Sequence, residues 1–129
     1  SGNPLVHFTG FRPDASSLAG ACDIAVMPSI EREGLPKAVL ESMAQGVPPI
    51  VTRVGGLPEL VLDGSCGLVI PPKDADAILT ALKKLAGNPA LRRTLGAAAR
   101  ARVDGEFHFR HTVEKTLALY ERLLSARHV

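Results

Sequence analysis

Two carboxylates, Glu33 and Glu41, stand with seven residues between them in the stretch Glu33-Gly34-Leu35-Pro36-Lys37-Ala38-Val39-Leu40-Glu41. Just upstream, Asp23-Ile24-Ala25-Val26-Met27-Pro28-Ser29 reads as a short apolar strand. Pro36 suits the first position of a helix, where its missing N–H costs nothing. A strand, a loop and a helix start in that order point the helix's free amides at the mouth of the strand. With a partial charge of about half an electron, those amides make a host for a phosphate. Glu41 lies about one and a half turns along, roughly 8 Å from the helix start, where it can accept hydrogen bonds from vicinal hydroxyls. Glu33 sits in the loop, nearer any reacting group. The pair by itself also fits a plainer reading, with one Glu complementing the helix dipole and the other solvated.

The elements that must position this stretch alternate along the first 70 residues. Apolar runs predict strands at Leu5 to Phe8, Asp23 to Met27, Pro49 to Thr52 and Gly67 to Ile70. Helices are expected at Asp14 to Ala21, Pro36 to Gln45 and Leu57 to Leu62. Such alternation implies right-handed βαβ units, and so an α/β fold with a parallel, Rossmann-like sheet flanked by helices. Ligands of such sheets bind beyond the carboxyl ends of the strands. Pro28-Ser29, Thr52-Arg53 and Gly55-Gly56 all fall on that edge. The last third is helical, with helices expected at Asp74 to Ala86, Pro89 to Val103 and Arg110 to Ser125. The stripe Val113, Leu117, Tyr120 and Leu124 is expected to bury against the sheet, the alternative being a partner's surface. No repeat or linker divides residues 1–129, so one domain is expected.

Other candidates are plainer. Gly55 and Gly56 open a helix after a strand, where glycine allows both a positive φ and a close backbone approach. An ordinary tight turn uses them equally well. Asp74-Ala75-Asp76 spells a triplet that could hold a metal on a diphosphate, yet it precedes a helix, so Asp74 is expected to be a cap and no metal is expected. His7, His108, His111 and His128 are scattered and read as surface residues. Lys37 reaches a phosphate only if an anion binds, because a cation at a helix N-terminus is otherwise unfavourable. Cys22 and Cys66 lack zinc or redox spacing and are expected to be buried, reduced thiols, which points to a cytoplasmic protein.

Composition excludes several classes. A chain of 129 residues with 46% apolar and 22% charged residues has the balance of a globular domain. A net charge of +2, with only four Phe and one Tyr, offers neither the basic field nor the stacking platforms that nucleic acid requires. No apolar run approaches the ~18–20 residues of a membrane span.

The sequence also carries a resemblance. Pro28-Ser29, Glu33-Gly34-Leu35-Pro36, Glu41-Ser42-Met43-Ala44-Gln45-Gly46-Val47-Pro48, Thr52-Arg53-Val54-Gly55-Gly56-Leu57-Pro58-Glu59-Leu60-Val61, Asp63-Gly64 and Gly67-Leu68-Val69 follow in the order found in one family. From about Val6 to Pro72 the chain closely resembles the C-terminal, donor-binding domain of retaining GT-B glycosyltransferases. These are the family 4 or group 1 enzymes, glycogen-synthase-like and lipid-mannosyltransferase-like. The resemblance implies transfer of a sugar from a UDP-, GDP- or ADP-linked donor to an acceptor with retention, and no cofactor or metal. It matches Glu41 to the residue that binds the donor ribose and Glu33 to the catalytic position by the donor sugar. Gly34 and Leu35 match loop positions whose amides approach the diphosphate, with Pro36 beside them, and Gly55 and Gly56 match a loop at the cleft.

The same resemblance implies parts that these residues do not contain. One is an earlier strand and helix of the donor domain, with a Gly-rich turn and an Arg–Lys pair. The other is an N-terminal acceptor domain, through which peripheral contact with a membrane could arise. The chain is therefore expected to be an incomplete donor domain, inactive alone. The alternative is a free-standing, non-catalytic module for nucleotide binding or protein interaction.

Overall fold

A computed structural model describes residues 2–126. The elements, in chain order, are α1 (Ala15–Ala19), β1 (Ala25–Met27), α2 (Lys37–Ala44), β2 (Pro49–Thr52), α3 (Leu57–Leu60), β3 (Leu68–Ile70), α4 (Ala75–Ala86), α5 (Pro89–Glu106) and α6 (Phe109–Ser125). The three strands form one parallel sheet in the order β1-β2-β3, with Val26 opposite Ile50 and Val51 opposite Val69. The parallel α/β architecture with a helical last third is the one the sequence predicts. Because the strands are parallel, their carboxyl ends share one edge of the sheet, and α2, α3 and α4 each begin beyond it.

Side chains alternate across a strand, so neighbouring residues of β2 and β3 serve opposite faces. Val51 and Val69 join Val39 and Met43 of α2, Leu57 and Leu60 of α3, and Ala99 of α5. Ile50, Leu68 and Ile70 join Ala81 and Leu85 of α4, and Leu95 of α5. Fully buried Leu, Ile and Met side chains such as Met43, Ile50, Leu57 and Leu85 each contribute about 1.5–3 kcal/mol relative to exposure. α5 serves both faces and crosses the end of α2 closely. A Cβ on Gly96 would collide with the carbonyl oxygen of Gly46.

Caps set where the later helices begin. Asp74 Oδ1 accepts the Ala77 N–H at 2.8 Å, and Asn88 Oδ1 accepts the Leu91 N–H at 2.9 Å ahead of Pro89. Asp74 is thus the cap the sequence predicts. At α1 the N-cap residue Asp14 makes no side-chain cap, because its carboxylate is taken by Arg12 at 2.9 and 2.6 Å. That guanidinium holds the exposed carboxyl below its ordinary pKa.

Three expectations are corrected. Leu5 to Phe8 is not a strand: Leu5 and Phe8 are 85% and 84% exposed. Asn3 instead folds the segment locally, its Oδ1 accepting the Leu5 N–H and its carbonyl the Val6 N–H. A polar side chain so placed competes with a ladder, and no described strand lies alongside to provide one. Cys22 is exposed, unlike Cys66, because it follows α1, a helix with no buried residue. The α6 stripe does not bury against the sheet. Among the described residues no side chain of α6 is buried, and Leu117, Tyr120 and Leu124 are exposed. Periodicity marks a face but does not say what covers it.

The cap assignment is testable by urea unfolding. Asp74→Ala lowers stability by about 1 kcal/mol. Asp76→Ala, which removes only a first-turn charge, costs less than half of that.

Candidate functional site

Two loops at the carboxyl edge of the sheet build the site. The first runs from β1 to α2 and carries Ser29, Glu33, Gly34, Leu35 and Pro36. The second runs from β2 to α3 and carries Arg53, Gly55 and Gly56. They are held together by backbone contact. The Gly56 N–H donates to the Glu33 carbonyl at 2.9 Å. A Cβ on Gly55, at φ +52°, would strike the same carbonyl, and a Cβ on Gly56 would lie 2.6 Å from Gly34 O. Both glycines are therefore required by close approach, and Gly55 also by its left-handed backbone.

A second layer of hydrogen bonds lies beneath. Buried Thr52, the last residue of β2, donates its hydroxyl to the Ser29 carbonyl at 2.6 Å. Ser29 in turn donates its own hydroxyl to Glu33 Oε1 at 3.1 Å. The half-buried Glu33 is thus fixed at its backbone by one loop and at its carboxylate by the other end of its own loop. Ser29 and Thr52 are visible in the sequence as strand-end residues. Their link is not, because it spans 23 residues.

α2 starts one residue later than expected. Pro36 is buried and stands at the N-cap with φ −63° and ψ 120°, outside helical geometry, so Lys37 is the first helical residue. The ring fixes only φ. No side chain caps this helix, and its first backbone bonds are those of Val39 N and Leu40 N to Pro36 O. The amides of Lys37 and Ala38 consequently face the loop without a partner inside the helix.

Glu41 is the fifth residue of α2, about one turn in, with its side chain 29% exposed. Lys37 Nζ lies 3.4 Å from Glu41 Oε1. Because the Lys37 side chain is 89% exposed, this pair holds the carboxylate only weakly. Gly34, Leu35, Lys37 and Gly55 are exposed or half-buried at the rim, so the site is an open surface. An apolar groove of about 160 Å³, lined by Ala19, Ile24, Met27, Ala38 and Val39, touches the site at Ala38 but holds none of Glu33, Gly34, Leu35, Pro36, Glu41, Gly55 or Gly56.

The structure therefore brings Glu33, Gly34, Gly55 and Gly56 into one cluster, with Leu35 and Pro36 at the end of the same loop and Glu41 on the helix that leaves it. His7, His108 and His111 lie elsewhere. His108 caps α6, its Nδ1 accepting the Arg110 N–H at 3.2 Å. His128 lies outside the described residues.

Residues 2–102 match the family model described as glycosyl transferases group 1. Over 124 residues the chain is 32% identical to an MMP alpha-(1->4)-mannosyltransferase of Mycolicibacterium hassiacum; the match takes in 94% of this chain and 30% of that relative. The structure superposes on Anabaena Alr3699/HepE, solved in complex with UDP, with a TM-score of 0.81 and 26% identity, over 88% of this chain and 32% of that one. It also superposes on the C-terminal domain of LpcC, a group 1 family glycosyl transferase from Francisella tularensis. There the TM-score is 0.71 at 27% identity, over 81% of this chain and 53% of that domain. The chain thus spans about a third of the length of the mannosyltransferase it matches.

The loop contact predicts a specific failure. Gly55→Ala must push the Glu33 carbonyl away or force a strained backbone, costing on the order of 1–3 kcal/mol. In NMR spectra the amides of Glu33, Gly34 and Gly56 move most, while those of β3 stay in place.

Proposed function

Because the chain belongs to the group 1 glycosyl transferases, we propose that it is the donor-binding portion of a larger enzyme that transfers a sugar from a nucleotide diphosphate sugar to an acceptor with retention. The observation that carries this reading is the uncapped start of α2, set against a loop whose shape is fixed by Gly55 and Gly56. The diphosphate lies at the amides of Gly34, Leu35, Lys37 and Ala38, where the helix's partial positive charge meets it. Pro36 sets the direction of the chain at that point. Glu41 accepts the ribose hydroxyls, which displace its weak pairing with Lys37. The freed ammonium can then turn toward a phosphate.

Glu33 stands by the donor sugar. When the bond from the anomeric carbon to the diphosphate oxygen breaks, its electron pair leaves with the diphosphate and the ring acquires oxocarbenium character. A fixed carboxylate nearby eases that charge, and the amides at α2 stabilise the leaving group. No metal is called for in this reading, since in the larger enzyme these amides, together with the basic pair that the resemblance implies, neutralise the phosphates. The likenesses to a UDP-bound neighbour and to a mannosyltransferase support a nucleotide sugar as ligand. The chain's 53% coverage of a C-terminal glycosyl transferase domain supports its being an incomplete donor half. Acceptor binding then belongs to the rest of the enzyme, and the 129 residues alone transfer nothing. Among the described residues no helix is long and apolar enough to cross a membrane, and we place the enzyme in the cytoplasm, where its donor is made.

Half a helix charge and one lysine neutralise a diphosphate only in part, so the isolated chain is expected to bind UDP or GDP with Kd on the order of 1 mM. In an NMR titration the shifts gather at Gly34, Lys37, Ala38 and Glu41. Glu41→Ala weakens binding about tenfold or more, the value of hydrogen bonds to a charged acceptor. Shifts confined to α6, or none at several millimolar nucleotide, refute the assignment.

A further inference from the structure

The helix that follows Gly56 is a single turn, and its far end is gripped from a distant part of the chain. Arg102, on α5, donates Nε to the Leu60 carbonyl at 2.9 Å and Nη2 to the Glu59 carbonyl at 2.7 Å. Its remaining Nη1 donates to Glu106 Oε1 at 2.7 Å, and the guanidinium lies over the Phe107 ring, 5.2 Å from the centroid. The side chain is 14% exposed. All three nitrogens are thus engaged, and the planar fork is held by an anion on one side and an aromatic ring on another. Four-residue α3 leaves its last carbonyls without partners inside the helix. Arg102 supplies them with a charge-assisted pair at the negative end of the helix dipole. At the other end of that turn stands Gly56, whose N–H holds the Glu33 carbonyl.

We propose that Arg102 is a positioning residue for the candidate donor site: by clamping the C-terminal carbonyls of α3 it fixes the Gly56 amide against Glu33 and so sets the loop that receives the diphosphate. The connection to the donor rests on the proposed function, but the mechanical link from Arg102 to the loop does not. Leu57 and Leu60 are fully buried and anchor the turn to the core. Burial fixes the depth of α3, whereas two directed hydrogen bonds fix its rotation and tilt, on which the line from Gly56 N to Glu33 O depends.

The test is amide hydrogen exchange and nucleotide titration of the 129-residue chain, comparing the native protein with Arg102→Met and Arg102→Lys. Arg102→Met is expected to speed exchange of the Gly56 amide about tenfold while the β2 and β3 amides of Ile50, Val51 and Val69 keep their native rates. Arg102→Lys, which keeps a cation but lacks the planar fork that meets both carbonyls, is expected to lie between. UDP affinity falls in the same order. Unchanged Gly56 exchange in either folded variant overturns the proposal. So does a rise shared equally by the Gly56 and sheet amides, because that marks general destabilisation. Should Arg102→Met fail to fold, the exchange rates of Arg102→Lys decide between the same two outcomes. If native protein binds no UDP, the donor reading fails, and the exchange rates still decide whether Arg102 sets the loop.

Discussion

One backbone hydrogen bond, from the Gly56 amide to the Glu33 carbonyl, joins the two loops on which the candidate site depends. It forms only because neither Gly55 nor Gly56 has a side chain, which lets two chain segments come within backbone contact. Around it the other constraints fall into place. Thr52 ties the end of β2 to Ser29, Ser29 ties down the Glu33 carboxylate, and Arg102 holds the helix that follows Gly56. A carboxylate and a set of unpartnered helix amides are thereby kept at one edge of the sheet before any ligand arrives. Preorganisation of this kind spares the ordering cost at the moment of binding.

The sheet explains why these parts meet. Parallel strands bring their carboxyl ends to one side, so the loop after β1 and the loop after β2 are neighbours although Ser29 and Thr52 lie 23 positions apart in sequence. Helices on both faces then bury Val51 and Val69 on one side, and Ile50, Leu68 and Ile70 on the other. The candidate edge itself stays open. An open half-site with partial charge compensation is what the proposed donor-binding portion of a larger enzyme would offer by itself. Such a half-site fits a chain spanning about a third of the mannosyltransferase it matches.

Much of this was legible in the sequence, for identifiable reasons. Strands at Pro49–Thr52 and Leu68–Ile70 are short apolar runs between glycine and proline signals, and the Asp74 cap sits one residue ahead of a strongly amphipathic helix. The Glu-Gly-Leu-Pro stretch marked the start of α2 to within one residue. What escaped were facts that depend on distant partners. Leu5 to Phe8 has strand composition, yet a strand exists only beside another, and Asn3 offers the backbone a local alternative. The α6 stripe has the spacing of a core helix, but among the described residues none of its side chains is buried. Cys22 has apolar neighbours in sequence that do not cover it in space. The grip of Arg102 on Glu59 and Leu60 joins residues 43 and 42 positions apart, and nothing in a run of arginines on a helix announces it.

A crystal structure of the chain grown with UDP or GDP, at a concentration well above the expected Kd, would show where a donor nucleotide sits. The diphosphate is predicted to lie against the amides of Gly34, Lys37 and Ala38, with the ribose hydroxyls on Glu41 and the Gly56–Glu33 bond intact. A nucleotide seated in the apolar groove beside β1, or against α6, with the two loops empty, would contradict the assignment of this edge as the donor site.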